Sequence, residues 1–395
     1  MKALVWMVIP WLVGSCALPT APEALRVAVS VPKADPFGAS VLRGMELALA
    51  DREGRAGDHA VELLVFDTMP RDQPPETSRS IEREAAEAAI ADPRVVAYLG
   101  PVSSHQASIS MPLLNEAQIA QISPTATWPG LTRPGFGPGE PARYFPSGRS
   151  HFFRVVPTDS VQAAAAARWA HRLGLEATAL IHDSQSHGRG ASGIFEEAAR
   201  DLGLKIVGRY HLPPAIQRTS QEMQTLAAQV LASEPNLVYL SAGSPSGLSD
   251  LVLQLRRENP RISILGVDIL MLGDVVEPLD PAISEGLLAT SFSLPVEHLG
   301  TAGALAFRHR YRQLYHQEPR PEAASGYEAM NTLLQAISET ASGSRQQVLE
   351  SMSKLREVSG ILGRWHFDEF GDTSLAVVGG FRVRQGRWTF EERLR

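Results

Sequence analysis

Hydroxyl side chains follow two apolar segments of this sequence, at the points where each segment is expected to end as a β-strand. Val95–Leu99 is followed by Ser103 and Ser104, and Ile119–Ile122 is followed by the polar segment Ser123–Thr127. Both clusters lie beside predicted helix amino termini, where unpaired backbone N–H groups and the helix dipole favour an anion. Because ligands of open parallel sheets bind at the carboxyl ends of the strands, these residues predict a binding site for an anionic group.

Other patterns give little support to catalysis. Gly188–Gly193 spells the dinucleotide fingerprint GxGxxG, but no acidic residue ends the next predicted strand to bind a ribose hydroxyl. We interpret it as a helix start beside a cleft, with Asp183–His187 lining one wall. Gly243–Gly247 has proline where a nucleophilic serine would stand, and the eleven histidines show no metal-ligand spacing. A hydrolase or dehydrogenase therefore remains an alternative function only if scattered Ser, His and Asp side chains converge in the folded chain. No cofactor or metal is predicted.

Several motifs resemble one family in their order and spacing. They are GPVSSHQAS from Gly100, ISPTATWPGLT from Ile122 and FFRVVPTD from Phe152. Together they are similar to the type I periplasmic solute-binding proteins, and in particular to the leucine/isoleucine/valine-binding proteins of ABC importers. The resemblance runs from about Leu25 to the C-terminus, through IHDSQSHGRG and FDEFGD. It implies an α/β fold of two doubly wound parallel-sheet lobes, joined by a hinge of three chain crossings, with the ligand enclosed between the lobes.

The resemblance also implies which residues of the two hydroxyl clusters contact the ligand. Ser104 and Thr127 match positions that bind a ligand carboxylate through a side-chain hydroxyl and a backbone N–H. Thr125 matches a position of backbone contact, and the adjoining Ser103 and Ala126 are included in the predicted site. Helix capping is the alternative role of Ser104 and Thr127, and one residue can do both.

Three further residues are expected on the opposite wall. Asp268 ends a predicted strand where amino-acid-binding members place an acidic residue against the α-ammonium; a solvated cap is the alternative. His187 stands where the branched-chain binders have a tyrosine, and Gly243 where they have a ring that covers the ligand. Losing a ring should leave a larger or differently shaped pocket, and His187 adds a titratable donor, so leucine itself is doubtful as the ligand.

The elements that position these residues alternate between strand and helix, which predicts parallel sheets covered by helices. Strands are expected at 26–31, 61–67, 95–99, 119–122, 152–156, 177–182, 205–210, 237–240, 262–266 and 286–291, and helices at 37–52, 78–91, 161–173, 194–202, 220–233, 248–259, 302–315 and 323–339. We assign 25–155 and 290–343 to the first lobe, and 156–289 and 344–395, with its β-rich tail, to the second. The Gly- and Pro-rich insertion 133–150 is expected to be irregular, either a flap near the cleft or an inert decoration.

The N-terminus predicts export and a lipid anchor. Residues 1–15 form a short apolar run that is typical of a signal peptide, and 16–24 reads as a tether. The chain's single cysteine, Cys16, ends a sequence that resembles a lipobox and would become the lipidated first residue. An ordinary signal peptide with an incidental cysteine is the alternative.

Composition limits the partners. A formal charge of −6, with 44% hydrophobic and 20% charged residues, describes a mildly acidic globular chain without the basic surface that nucleic acid requires. The sequence therefore predicts an extracytoplasmic receptor that closes over a small polar ligand, such as an amino acid, and presents it to an ABC permease. A ligand-sensing receptor, or a binder of amides or aromatic acids, remains the alternative within this fold.

Overall fold

The computed structural model describes residues 23–68, 78–183 and 186–394. The predicted signal peptide, Cys16 and most of the tether lie outside these residues. The first sheet and its nearest helices come from the first part of the chain. They are β1 (Leu25–Val31), α1 (Pro36–Ala50), β2 (Arg55–Ala56), β3 (His59–Asp67), α2 (Ser78–Ala91), β4 (Val95–Leu99), α3 (Ser104–Glu116), β5 (Ala120–Ser123) and β6 (Phe152–Arg154).

The second sheet is built mainly by the next part of the chain. Its elements are α4 (Asp159–Arg172), β7 (Ala177–His182), α5 (Ser186–Asp201), β8 (Lys205–His211), α6 (Ser220–Leu231), β9 (Leu237–Ser241), α7 (Leu248–Glu258), β10 (Ser263–Gly266), α8 (Gly273–Val276), α9 (Pro281–Ser284) and β11 (Leu288–Ser291). The chain then forms α10 (Ala302–Tyr315), α11 (Pro321–Ser338), α12 (Arg345–Lys354), β12 (Val358–Gly360) and β13 (Gly363–Trp365), and ends in β14 (Val378–Arg384) and β15 (Arg387–Leu394).

The two sheets have the topology of two doubly wound lobes. The first has the strand order β2-β3-β1-β4-β5-β6 and is parallel except for the hairpin β2–β3. The second has the order β15-β14-β11-β10-β9-β7-β8, parallel from β11 to β8 and antiparallel at β14 and β15. Val95–Leu99 is buried along its whole length, as expected for a strand with helices on both faces. The predicted fold class is confirmed.

One predicted boundary is wrong. The sequence analysis assigns 344–395 to the second lobe, but α12 packs in the core of the first lobe through Val348, Leu349 and Met352. Trp365 and Phe367 belong to that same core. Burying each such side chain stabilises the fold by roughly 1.5–3 kcal/mol, so these residues commit the segment to the first lobe. The third crossing therefore lies between Phe367 and β14, and only the last two strands return to the second sheet.

The insertion 133–150 is mostly turns, with one 3-10 helix at Ala142–Tyr144. It is not a free flap, because Tyr144 is buried in a small core with Trp128 and Phe152, against which Phe136 and Phe145 pack. It contacts α3 as well.

Candidate functional site

The first wall of the candidate site lies at the carboxyl ends of β4 and β5. A Cβ atom on Gly100 would lie 2.4 Å from the carbonyl oxygen of Ser30, and Gly100 has a φ of +114°, so the turn after β4 requires glycine. Ser103 is the N-cap of α3, where its hydroxyl accepts from the Gln106 N–H at 3.1 Å. This turn places Ser104 at the amino terminus of α3.

Hydrogen bonds join the two predicted hydroxyl clusters. The Ser104 hydroxyl accepts from the backbone N–H of Trp128 at 3.0 Å, and the Thr125 hydroxyl donates to Val102 O at 2.7 Å. Ala126 N–H donates to the Ser123 hydroxyl at 3.0 Å. Since a hydroxyl that accepts keeps its own proton, Ser104 can still donate to a ligand, whereas Thr125 spends its proton on the protein.

Thr127 links this wall to the second lobe. Its side chain is almost buried, and its carbonyl accepts from the N–H of Asp159, which begins α4, at 2.9 Å. The structure thus brings together the five predicted residues of the first wall, namely Ser103, Ser104, Thr125, Ala126 and Thr127. Of these, Ser103 uses its hydroxyl to cap α3, and Thr125 uses its hydroxyl to join two loops.

A buried ion pair supports this wall from behind. The Arg154 guanidinium donates to Ala126 O at 3.0 Å and to Trp128 O at 2.8 Å, and its Nε donates to Asp372 Oδ1 at 2.7 Å. Burial tends to raise the pKa of Asp372, but the charge of Arg154 and the hydrogen bonds from Arg154, Arg133 and Thr132 lower it overall. The sequence analysis did not predict this pair. The available signal was an arginine within the apolar start of FFRVVPTD and the acidic residues of FDEFGD.

The second wall follows β7 and β9 and is held by another ion pair. Asp183 Oδ2 accepts from the Gly243 N–H at 2.8 Å and lies 3.4 Å from Arg218 Nη2. The same guanidinium donates to Ser244 O at 3.0 Å and to Ser246 O at 2.8 Å. Burial lowers the pKa of Arg218, and the charge of Asp183 opposes this shift. Gly243 is exposed and is positioned through its backbone.

Asp268 supplies negative charge at the end of β10. It begins a 3-10 helix, is half-buried, and its Oδ1 accepts from Gln162 Nε2 at 3.0 Å. Gln162 is held in turn by Thr290 O at 2.9 Å. Burial raises the pKa of the neighbouring Tyr239 phenol, and the charges of Asp159 and Asp268 raise it further. The Asp268 carboxyl group is thus held at the carboxyl edge of the second sheet by Gln162.

The glycine-rich motif lies inside α5 rather than in a loop before it. The helix begins at Ser186, eight residues ahead of the predicted start at Ile194, and includes Gly188–Gly193. The Gly188 carbonyl accepts from the Ser241 hydroxyl at 2.6 Å, so this glycine serves a close approach of two backbones. The backbone of His187 is in the first turn of α5, and its side chain lies outside the described residues.

The two walls are in contact beside the site. A Cβ atom on Gly190 of α5 would lie 1.8 Å from Cζ3 of Trp128, the residue that follows Thr127 in the first wall. Within the described ranges, no group of three or more His, Cys, Asp or Glu could hold a metal ion. Two α/β lobes with donors on one wall and a carboxylate on the other define the class of a two-lobed binding protein.

Comparison with known proteins agrees with this class. The family model described as periplasmic binding protein matches residues 26–377, and the chain belongs to that family. The Leu/Ile/Val-binding protein homolog 1 of Brucella suis is 22% identical over 365 residues, covering 91% of this chain and 90% of the relative. These relatives are binding proteins, which confirms the prediction of a binding protein rather than an enzyme.

Solved structures share the fold. The leucine-binding protein LivK of Thermotoga maritima is 25% identical, with a TM-score of 0.78 over 94% of this chain and 99% of that one. A solute-binding protein of an ABC transporter from R. palustris, solved with benzoate, is 19% identical, with a TM-score of 0.73 over 94% and 96% of the two chains; at that identity it shows the fold alone. In the part of the chain that the structure describes, no helix is long and apolar enough to cross a membrane.

Proposed function

We propose that this chain is the extracytoplasmic, lipid-anchored solute-binding protein of an ABC importer, and that it encloses an amino acid or a related small polar ligand between its lobes. The family and the similar proteins support the binding role, because those proteins include a Leu/Ile/Val-binding protein homolog and a leucine-binding protein. Delivery to permease transmembrane subunits follows from that role. The net charge of −6 gives no reason to propose a nucleic-acid partner.

The observation that carries the proposal is the complementary chemistry of the two walls. Ser104 keeps a hydroxyl proton at the amino terminus of α3, close to Thr127, and Asp268 places a carboxylate at the edge of the other sheet. An α-amino acid presents a carboxylate and an ammonium a few ångströms apart, and burying either without a partner costs several kcal/mol. The first wall would bind the carboxylate and Asp268 the ammonium.

Closure would couple binding to transport. In this proposal the first lobe comprises about 25–155 and 292–367, and the second about 156–291 and 378–394, with three crossings as the hinge. A ligand that touches both walls only in the closed state supplies the differential free energy that shifts the hinge equilibrium. Scattering should therefore show a smaller radius of gyration with ligand than without it. An unchanged radius at saturation, from a chain that starts open, would contradict this mechanism.

The ligand's side chain is the least specified part of the proposal. Gly243 has no ring to cover it, and its exposed backbone leaves space at that edge of the second wall. An amide or an aromatic acid is therefore the second candidate. Mass spectrometry of small molecules retained by protein purified without refolding tests both candidates. A retained ligand without an amine would reject the amino acid in favour of the second.

The anchor is proposed from the sequence alone, since Cys16 lies outside the described residues. Cys16→Ser should release the protein from the membrane fraction, measured by fractionation and by the mass of the mature N-terminus. A wild-type chain that is already released, with an N-terminus elsewhere, would contradict lipidation. Coupling to a signalling partner instead of a permease is the alternative role of an anchored receptor, and neighbouring genes would separate the two.

A further inference from the structure

Trp128 joins three parts of the molecule. Its backbone N–H donates to the Ser104 hydroxyl at 3.0 Å, and its carbonyl accepts from the buried Arg154 at 2.8 Å. The residue is 4% exposed although it lies in the loop that ends the first wall. The backbone N–H of Trp128 is therefore fixed to the first wall, and its carbonyl is fixed to the ion pair of Arg154 and Asp372.

The indole of Trp128 is seated on the second lobe. A Cβ atom on Gly190 would lie 1.8, 2.5 and 3.0 Å from Cζ3, Cη2 and Cε3 of the ring. The ring thus occupies the volume that any side chain at position 190 would need. Gly193, one turn further along α5, has no atom within 4 Å of the corresponding Cβ position. The close approach is therefore specific to Gly190.

The insertion 133–150 holds the ring in this position. The indole Nε1–H donates to Glu140 Oε2 at 3.2 Å, and the Tyr144 hydroxyl donates to Glu140 Oε1 at 2.8 Å. Phe136 packs edge-on against the indole, with 5.6 Å between ring centroids. The Glu140 carboxylate is itself buried, and a Cβ atom on Gly130 would lie 2.0 Å from its Oε2. The Glu140 carboxylate is thus packed closely within the turn-rich insertion and hydrogen-bonded to the indole, which indicates that the insertion supports the Trp128 ring.

We propose that Trp128 is the positioning residue through which the first lobe closes on the second, and that the insertion serves to hold its indole against Gly190. The contact sets how far the lobes approach and adds an aromatic wall beside the site, in a chain that lacks a ring at Gly243. Its effect on affinity rests on the proposed function. The contact between the lobes does not, and it can be measured without ligand.

Two matched glycine variants test the contact through binding. Gly190→Ala places a methyl group against the indole, whereas Gly193→Ala makes the same change on the same helix in open space. We expect Gly190→Ala to weaken binding of the probe L-leucine about tenfold, because overpacking opposes closure, and Gly193→Ala to bind as the wild type does. Calorimetric titration measures both. If the wild type binds L-leucine and Gly190→Ala binds it as tightly as Gly193→Ala does, the proposal is overturned.

Hydrogen exchange tests the contact without ligand. Amide exchange in residues 186–194 should rise in Trp128→Ala, and to a lesser extent in Glu140→Gln, while Gly193→Ala shows no such rise. Unchanged exchange in Trp128→Ala would overturn the proposal whatever the ligand is. If the wild type shows no binding of L-leucine while exchange rises as expected, the amino-acid assignment fails and the contact stands. Glu140→Gln keeps the size of the side chain, so it tests the support of the ring even if Trp128→Ala does not fold.

Discussion

Each wall of the cleft is supported by one buried arginine paired with one buried aspartate, and the two pairs differ in what they connect. Arg154 and Asp372 are 218 positions apart. Arg154 ends β6, where the chain first crosses to the second lobe, and Asp372 lies in the third crossing, between Phe367 and β14. Arg218 and Asp183 are 35 positions apart and lie within the second lobe. Both arginines also bind carbonyls of their wall loop. The first wall is thereby tied to the hinge, and the second wall only to its own lobe.

The difference extends to the strength of each pair. Arg154 Nε lies 2.7 Å from Asp372, and the side chains are 0% and 4% exposed. Arg218 Nη2 lies 3.4 Å from Asp183, at 1% and 4% exposure. Similar burial with a longer separation means that the second guanidinium depends more on its carbonyl partners. We infer that the hinge pair contributes to the fold as a whole, whereas the second pair mainly shapes one loop.

Breaking the hinge pair should have the largest effect. Asp372→Asn keeps the shape of the side chain but leaves Arg154 buried without its carboxylate, which typically costs about 3–5 kcal/mol of stability. Urea unfolding monitored by circular dichroism measures the change. The Thr132 hydroxyl also accepts from Arg154, so a loss below about 1 kcal/mol would mean that this hydroxyl and the backbone carbonyls satisfy the guanidinium without the carboxylate.

Removing the proposed ammonium partner should have the next largest effect, on binding rather than on folding. Asp268→Asn retains an acceptor for Gln162 but removes the charge, so an amino-acid ligand should bind about 2–4 kcal/mol more weakly. Calorimetric titration with L-leucine measures this. Asp201→Asn, an exposed acid on the same lobe, is the control for the change in net charge. Wild-type affinity in Asp268→Asn would reject the amino-acid assignment.

Glu82 sharpens the comparison, because it is a buried carboxyl that accepts hydrogen bonds from hydroxyl groups. Ser30 and Tyr98 donate to it, at 2.5 and 2.9 Å, and burial raises the pKa of Glu82 to about 7 although these hydrogen bonds lower it. A raised folded-state pKa favours the fold below the unfolded value of 4.5, and this contribution is lost as the pH rises through about 7.

The pH dependence of Glu82 gives a test that is opposite in sign to that of Asp372. Glu82→Gln should gain about 2–3 kcal/mol of stability relative to the wild type between pH 4.5 and pH 8. The lowered pKa of Asp372 instead favours the fold at neutral pH, and that contribution is lost in acid, below its ordinary value of 3.8. Thermal unfolding across pH, with the exposed Glu87→Gln as control, measures the difference. If the difference in stability between Glu82→Gln and the wild type does not change with pH, the raised pKa of Glu82 is refuted.

Breaking the second pair should have the smallest effect on stability. Asp183→Asn leaves Arg218 with the carbonyls of Pro213, Ser244 and Ser246, at 2.9, 3.0 and 2.8 Å, so we expect a loss of about 1–2 kcal/mol. Urea unfolding beside Asp372→Asn gives the comparison directly. A loss equal to that of Asp372→Asn would show that the two pairs are energetically alike.

The bounds of most elements could be predicted from the sequence to within about two residues. Ser78–Ala91, Val95–Leu99, Ala177–His182 and Ala302–Tyr315 have the predicted bounds. Periodicity failed at α5, which begins eight residues earlier than predicted because its glycines pack against Ser241 and Trp128, and such contacts offset the low helix propensity of glycine. The two hydroxyl clusters could also be located, since turn residues after apolar strands are a local signal.

The sequence by itself determined the alternation of strands and helices, the carboxyl edges where a ligand site can form, and the residue types available there. These follow from spacing along the chain, because apolar periodicity and turn chemistry act over a few residues. Only the tertiary structure decided that α12 packs on the first lobe, that Arg154 pairs with Asp372, and that Trp128 rests on Gly190. Each of these depends on which distant side chains fill a common volume or share a buried charge, and local pattern carries no record of that choice.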